Sequence, residues 1–183
     1  IFVDQEPADI LQELDKSCSG HTVNDGVYWR TRVGAPSAAV YSFTDDDVIA
    51  TSPSTFTSFG GIESTYNGIH ARFPDPASDW EPVEAPARYN TAYENEDQGK
   101  RLIADLTLSA VPYPNQVQRL MYSYIEEERR FRKHTFFLPP DAAKVDVLDS
   151  TSWTSNTNGY SNKIFEVQQK TINFKTMVCQ YSF

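Results

Sequence analysis

At 183 residues the chain is long enough for one compact domain or two small ones, with a core that needs no disulfide or metal staple. Twenty-five acidic against sixteen basic residues give a net charge of −9, which excludes a binder that grips phosphate backbones through a basic face. Ten Tyr and eleven Phe against two Met favour β-structure over a helical bundle, because aromatic side chains suit a pleated, half-buried surface.

In chain order, Ile1-Phe2-Val3 meets Asp4 at once, so no signal-peptide pattern opens the sequence. Without an initiator Met, it reads as an excerpt of a longer polypeptide. A first helix starts at Glu6-Pro7, carries Ile10, Leu11, Leu14 and Cys18 on one face, and stops at a Gly20 cap. A hairpin follows, His21 to Val23 and Val27 to Val33 about Asn24-Asp25-Gly26, with Val27, Trp29 and Thr31 on one face and Tyr28, Arg30 and Arg32 on the wet one. Thr44 caps a short helix whose Asp45, Asp46 and Asp47 face the helix dipole while Val48 and Ile49 pack inward. Three consecutive acids on a regular element do not converge on one metal ion. Residues 1–50 therefore form a helix-plus-hairpin unit, residues 51–61 a linker with Gly60-Gly61 as hinge, and residues 62–183 a β-rich domain.

That domain opens with a strand over Ile62–Phe73, in which Ile69, Ala71 and Phe73 alternate with His70 and Arg72, and Asn67-Gly68 marks a bulge or bend. Pro74, Pro76, Pro82 and Pro86 forbid interior pairing, so the next stretch is an ordered loop or sheet edge. Trp80 within it reads as a plug folded back over the sheet, in preference to an exposed stacking platform. Tyr89 to Lys100 is polar and acidic, and Leu102, Ala104, Leu106 and Leu108 line a half-buried strand. An amphipathic helix over 115–133 starts at a capping-box-like Asn115 and Gln118, and Val117, Leu120, Met121, Tyr124, Ile125 and Phe131 form its stripe. Acids Glu126–Glu128 ahead of Arg129, Arg130, Arg132 and Lys133 suggest i,i+4 pairs on that helix. Short strands follow at Thr135–Leu138, Lys144–Leu148, Lys163–Gln169 and Thr171–Phe183, with turns at Pro139–Asp141 and Asn156–Gly159.

Chemistry is sparse. Cys18 and Cys179 are too few for a disulfide framework or a zinc site and are expected as buried free thiols. His21, His70 and His134 lack a His or Cys partner at ligand spacing, so no metal or cofactor is expected; each reads as a satisfied surface or strand-edge histidine. Asp75, Asp79, Glu81 and Glu84 offer carboxylates, yet nothing marks the sugar cleft that a glycosidase pair must flank. No apolar run approaches a membrane span.

The order of short motifs is more telling. Asn67, Phe73, Asp75-Pro76, Asp79-Trp80 and Pro82 are followed by a Leu-x-Leu strand (Leu106, Leu108) and by Gln118-Arg119-Leu120 on a helix with a basic end. Leu138–Asp141, Val145–Val147 and Lys163–Val167 complete the series. This order resembles the hub domains of phage tail-tip proteins, the central-tip (J-type) proteins and their relatives in gene transfer agents. Two departures stand out, Lys144-Val145-Asp146 in place of the usual Gly-Asp before a Val strand and Tyr113-Pro114 in place of a Thr or Ser helix opening.

The resemblance implies an α+β fold, predominantly antiparallel, with a long helix packed on a barrel-like sheet. It also implies a non-enzymatic structural role at the virion tail tip, assembled in the bacterial cytoplasm as a trimer with neighbouring tail-tube and tail-tip proteins. Two alternatives stand beside it. One is a carbohydrate-binding or receptor-contact module that takes a host surface glycan on Trp80, Trp153, Tyr89 and Tyr93. The other is a fragment of a tail-associated hydrolase.

Overall fold

The computed structural model describes residues 6–24, 26–61 and 64–183. In chain order it contains α1 (Pro7–Cys18), β1 (Gly20–Asn24), β2 (Trp29–Val33), β3 (Tyr41–Thr44), β4 (Thr55–Thr57), β5 (Gly68–Pro74), β6 (Pro82–Glu84) and β7 (Arg88–Tyr89). There follow α2 (Thr91–Glu96), β8 (Ile103–Thr107), α3 (Pro114–Glu128), β9 (Lys133–Leu138), β10 (Ser150–Ser155), β11 (Tyr160–Glu166), β12 (Gln169–Asn173) and β13 (Val178–Ser182). The fold is α+β with mostly antiparallel pairing, and no closed barrel forms among the described strands. Two compact units result: one takes the chain up to Thr22 and Gly60–Arg130, the other Val23–Phe59 and Phe131–Phe183. Each unit draws on two stretches of sequence, whereas composition suggested consecutive pieces. The 51–61 segment, expected to be a linker, carries β4, because Thr55-Phe56-Thr57 pairs with β9.

In the first unit Pro7 opens α1 as expected, but the cap is Ser19, at φ 49°, instead of Gly20. Cys18 is exposed, which corrects its assignment to a buried face, and it is a free thiol. The sheet is centred on β5. β6 and β7 run antiparallel to it, and β8 lies parallel on a crossover through α2. The strand expected from Ile62 begins only at Gly68; Ile62 and Glu63 lie outside the described residues, and Asn67 forms the bend. β6 is an edge strand, as Pro82 at its start requires. Ile69, Ala71, Phe73, Leu106 and Leu108 are buried against Val117, Leu120, Met121 and Ile125 of α3. That helix is shorter than expected. It starts at Pro114, capped by Tyr113 without a side-chain bond in place of the Asn115–Gln118 box, and ends at Glu128. Phe131 belongs to the other unit, where its ring lies 6.0 Å from Phe59.

The polar Tyr89–Lys100 stretch hides α2, which starts at Asn90, whose side chain accepts from Ala92 and Tyr93 amides. Asp97 follows α2 directly. Its carboxylate receives Arg129 in two contacts, Nη1 to Oδ1 at 3.1 Å and Nη2 to Oδ2 at 3.0 Å. Asn67 Nδ2 donates to the same Oδ2 at 2.8 Å and to Lys100 O at 2.8 Å, while Asn67 Oδ1 accepts from Leu102 N at 2.9 Å. Arg129, whose side chain is only 7% exposed, also donates to Tyr93 O and lies 4.4 Å from the Tyr93 ring. The expected surface i,i+4 pairing of Arg129 is thereby replaced by a buried clamp. The clamp joins the end of α3, the end of α2 and the entries to β5 and β8.

The second unit packs two sheets, β11-β10-β3 and β12-β13-β9-β4, over a common aromatic core. β3 and β10 run parallel, and all other pairs in this unit are antiparallel. Phe43, Trp153, Tyr160 and Phe165 from one sheet meet His134, Phe136, Tyr181 and Phe183 from the other, with Trp153 centred 5.0 Å from Phe136 and 4.9 Å from His134. Thr44 caps a 3-10 turn over Asp45–Asp47, reciprocated by Asp47, much as expected. Asp45 then accepts from Trp153 Nε1 at 3.2 Å; its hydrogen bonds, first that from Ser155, hold its carboxyl below the ordinary range. The strand expected at Lys144–Leu148 is absent: Pro140–Lys144 forms a 3-10 turn, and Tyr181 Oη donates to Ala142 O at 2.6 Å. The terminal Thr171–Phe183 run is a hairpin of β12 and β13, not one strand. Cys179 is buried in β13 as expected.

His134 is a core residue, not a strand-edge histidine. Four rings meet it edge-on, Phe56 stacks on it at 4.4 Å, and Tyr160 Oη bonds Nε2 at 3.0 Å; burial, then Lys163 and Arg132, lower its pKa to about 4.

Two outcomes follow. Asp97→Ala takes the two-pronged carboxylate away from the buried Arg129 guanidinium and leaves Glu96 at 3.9 Å as its acidic neighbour, so urea unfolding followed by helical circular dichroism should report a loss of about 3 kcal/mol. For His134 the folded pKa lies below the unfolded value of 6.5, so the unfolded chain takes up the proton first. Stability is therefore complete above pH ~6.5 and falls towards pH 4 by up to about 3 kcal/mol. The decline should be read by Trp153 fluorescence in urea titrations and be absent in His134→Phe.

Candidate functional site

Of the motif residues singled out in the sequence, those from Asn67 to Leu120 lie in the first unit, and Leu138–Asp141, Val145–Val147 and Lys163–Val167 in the second. Asn67 belongs to the clamp, and Phe73 and Leu120 are core. Gln118 Nε2 donates to Pro86 O at 2.8 Å, which fixes α3 to the break between β6 and β7. Arg119 is exposed. The remaining five, Asp75, Pro76, Asp79, Trp80 and Pro82, build the turn between β5 and β6.

That turn is closed by local bonds. Asp75 Oδ1 accepts from Ala77 N at 3.0 Å, and Asp75 O accepts from both Ser78 N and Trp80 N at 3.0 Å. Asp75 N donates to Glu81 O at 3.2 Å, and Glu81 N donates to Ser78 O at 3.0 Å. Pro76 opens the 3-10 turn Pro76–Ser78, and Pro82 starts the edge strand. Asp79 and Trp80 are both left-handed, at φ 54° and 66°. For side chains of this kind such backbone costs roughly 1–2 kcal/mol per residue. Trp80 is 63% exposed, which corrects the expectation of a plug. Its main chain is committed to the turn, and the ring is left in solvent.

The outer sheet face beside this turn is polar. His70, Ala71, Arg72, Glu84, Asp105, Leu106 and Thr107 line a shallow depression of about 270 Å³. Its charges are mutually satisfied: Arg72 pairs with Glu84 at 2.8 Å, and His70 contacts Tyr89 Oη at 3.1 Å and Asp105 at 3.8 Å. His21 pairs with Glu127 at 2.9 Å. Of the four carboxylates weighed for glycoside chemistry, Asp75 is a cap and Glu84 an ion-pair partner, and only Glu84 lines the depression. Among the described residues no group of three His, Cys, Asp or Glu could hold a metal ion. No described helix is long and apolar enough to cross a membrane.

The four-ring sugar platform is not assembled. Trp153 is 5% exposed in the core of the other unit. Tyr93 donates its hydroxyl to Glu126 at 2.9 Å and lies beneath Arg129, and Tyr89 carries Arg101 4.4 Å from its ring centre. Sequence reading missed Asp97 and Arg129 as partners. A signal was present: Arg129 continues the Val117, Met121, Ile125 row at four-residue spacing, which directs a helical side chain to the buried face.

Solved structures share this fold. A protein of the virion of a native gene transfer agent particle aligns with all of this chain and 39% of its own, at 13% identity and a TM-score of 0.74. The 43 kDa tail protein of prophage MuSo2 from Shewanella oneidensis aligns with all of this chain and 56% of its own, at 10% identity and a TM-score of 0.64. A tail protein from Neisseria meningitidis MC58 gives 8% identity, 55% of its own length and a TM-score of 0.62. At such identities the likeness is one of fold, and the chain spans between 39 and 56% of the length of these three. No curated protein matches the sequence. The family model described as "Putative phage tail protein" matches residues 6–168, and the chain accordingly belongs to this family, as a structural protein of the virion tail.

Proposed function

We propose that the chain works at the tail tip as a piece of the baseplate hub, linking the tail tube to the host-contacting apparatus. In this reading it acts in a trimeric ring with neighbouring tail-tube and tail-tip proteins. The observation that carries the reading is the family match across residues 6–168. The agreement of fold over the whole chain with a protein of a gene transfer agent particle supports it.

The physical design suits such a part. One unit is locked by a buried clamp and the other by an aromatic core, so both supply fixed surfaces. The outer charges of the first sheet are paired with one another rather than aimed at a substrate. A net charge of −9 disfavours non-specific adhesion to passing DNA. Hydrolysis forms no part of the proposal.

Antibody raised against the chain and visualised by immunogold on purified particles should label the distal end of the tail. Label confined to capsids or along the tube, or unlabelled tails after mild dissociation has exposed buried epitopes, contradicts the hub assignment.

A further inference from the structure

The turn from Asp75 to Pro82 combines features that folding alone does not explain. Two consecutive residues with side chains are held left-handed, five hydrogen bonds fix the loop, and the result is an indole 63% in solvent. The indole N–H has no acceptor among the described residues, and the flanking carboxylates of Asp79 and Glu81 have no ion-pair partner there. Strain and exposure of this kind persist where a surface is pre-shaped for a contact. A rigid Trp is an efficient anchor because little conformational freedom is lost when it docks.

We propose that Trp80 is the anchor of a protein–protein contact inside the particle. It enters an apolar pocket rimmed by Lys or Arg on a tail protein different from this chain. The inference rests on the tail reading above. Charge selects the partner: Asp79 and Glu81 call for a basic rim, and a second copy of a chain with net charge −9 is a poor match for an acidic knob. A sugar platform is disfavoured because Tyr89 pairs with Gly68 at the far end of β5 from this turn, with Tyr93 beyond it in α2, and the two rings carry Arg101 and Arg129.

The test replaces Trp80 with p-benzoylphenylalanine in the producing cells and irradiates the assembled particles. The expected adduct joins the chain to one different tail protein, at an apolar residue with Lys or Arg nearby. An adduct to another copy of the chain, an adduct to host glycan, or no adduct overturns the proposal. In parallel, Trp80→Ala and Glu81→Lys should each lower the amount of chain per particle by about tenfold or more, while Trp80→Phe retains most of it. The melting temperature of the purified Trp80→Ala chain should not fall, because most of the residue is already in solvent; a fall assigns Trp80 to folding and overturns the proposal. Incorporation of Trp80→Ala at the wild-type level does so too. Absence of the wild-type chain from particles is a separate outcome: it sinks the tail reading, and this inference with it.

Discussion

The first unit depends on the buried contact between Arg129 and Asp97, with Asn67 on the same carboxylate. Taking a guanidinium and a carboxylate out of water costs several kcal/mol per ion, and only near-ideal geometry with further hydrogen bonds offsets it. Here the geometry is two-pronged, and two further bonds are made: Asn67 donates to the carboxylate, and Tyr93 O receives the guanidinium. The gain is one of position more than of net stability. Four chain segments are tied to one point, so the sheet, the crossover and the long helix take a single register.

From that point the geometry propagates. With β5 fixed at Asn67, the alternation Ile69, Ala71, Phe73 faces α3 and the polar set His70, Arg72 faces outward. A strand fixed at its start also fixes its end, where the turn of Asp75 to Pro82 begins. The strain at Asp79 and Trp80 is affordable only because the sheet beneath that turn is rigid. The second unit reaches rigidity by another route. Its stacked and edge-on rings each add roughly 0.5–1.5 kcal/mol beyond area burial, and its buried polar groups are small hydroxyls or the neutral His134.

Much of this was legible from sequence where the side-chain period is plain. Pro7, the Val117–Ile125 stripe, the Ile69–Phe73 alternation and the prolines of the β5–β6 turn each specify their local structure directly. β10 was not legible, because Ser150-Thr151-Ser152-Trp153-Thr154-Ser155 is polar by composition. It is buried only because it lies between β11 and β3, a fact of tertiary pairing. The Lys144–Leu148 strand was misread for the opposite reason: Val145 is apolar and buried, but it follows a 3-10 turn rather than lying in a sheet. At the turn, the residues named from motif order do group together. The direction of Trp80 was not readable, since it depends on two left-handed backbone angles at residues that carry no glycine signal.

In this member of a phage tail family a clamp holds the frame of the first unit, and the frame presents a surface. The clamp is expected to open only when the whole first unit does. Native-state hydrogen exchange tests this directly at the amides of Leu102, bonded to Asn67 Oδ1, and of Gly68 and Asn90, bonded to Leu102 O and Asn67 O. The expected result is that all three exchange as slowly as Met121 and Ile125 in the buried stripe of α3, and by the same global opening. Exchange of these amides orders of magnitude faster, while the helix stays protected, would mean that the clamp frays by itself and does not set the register of the unit.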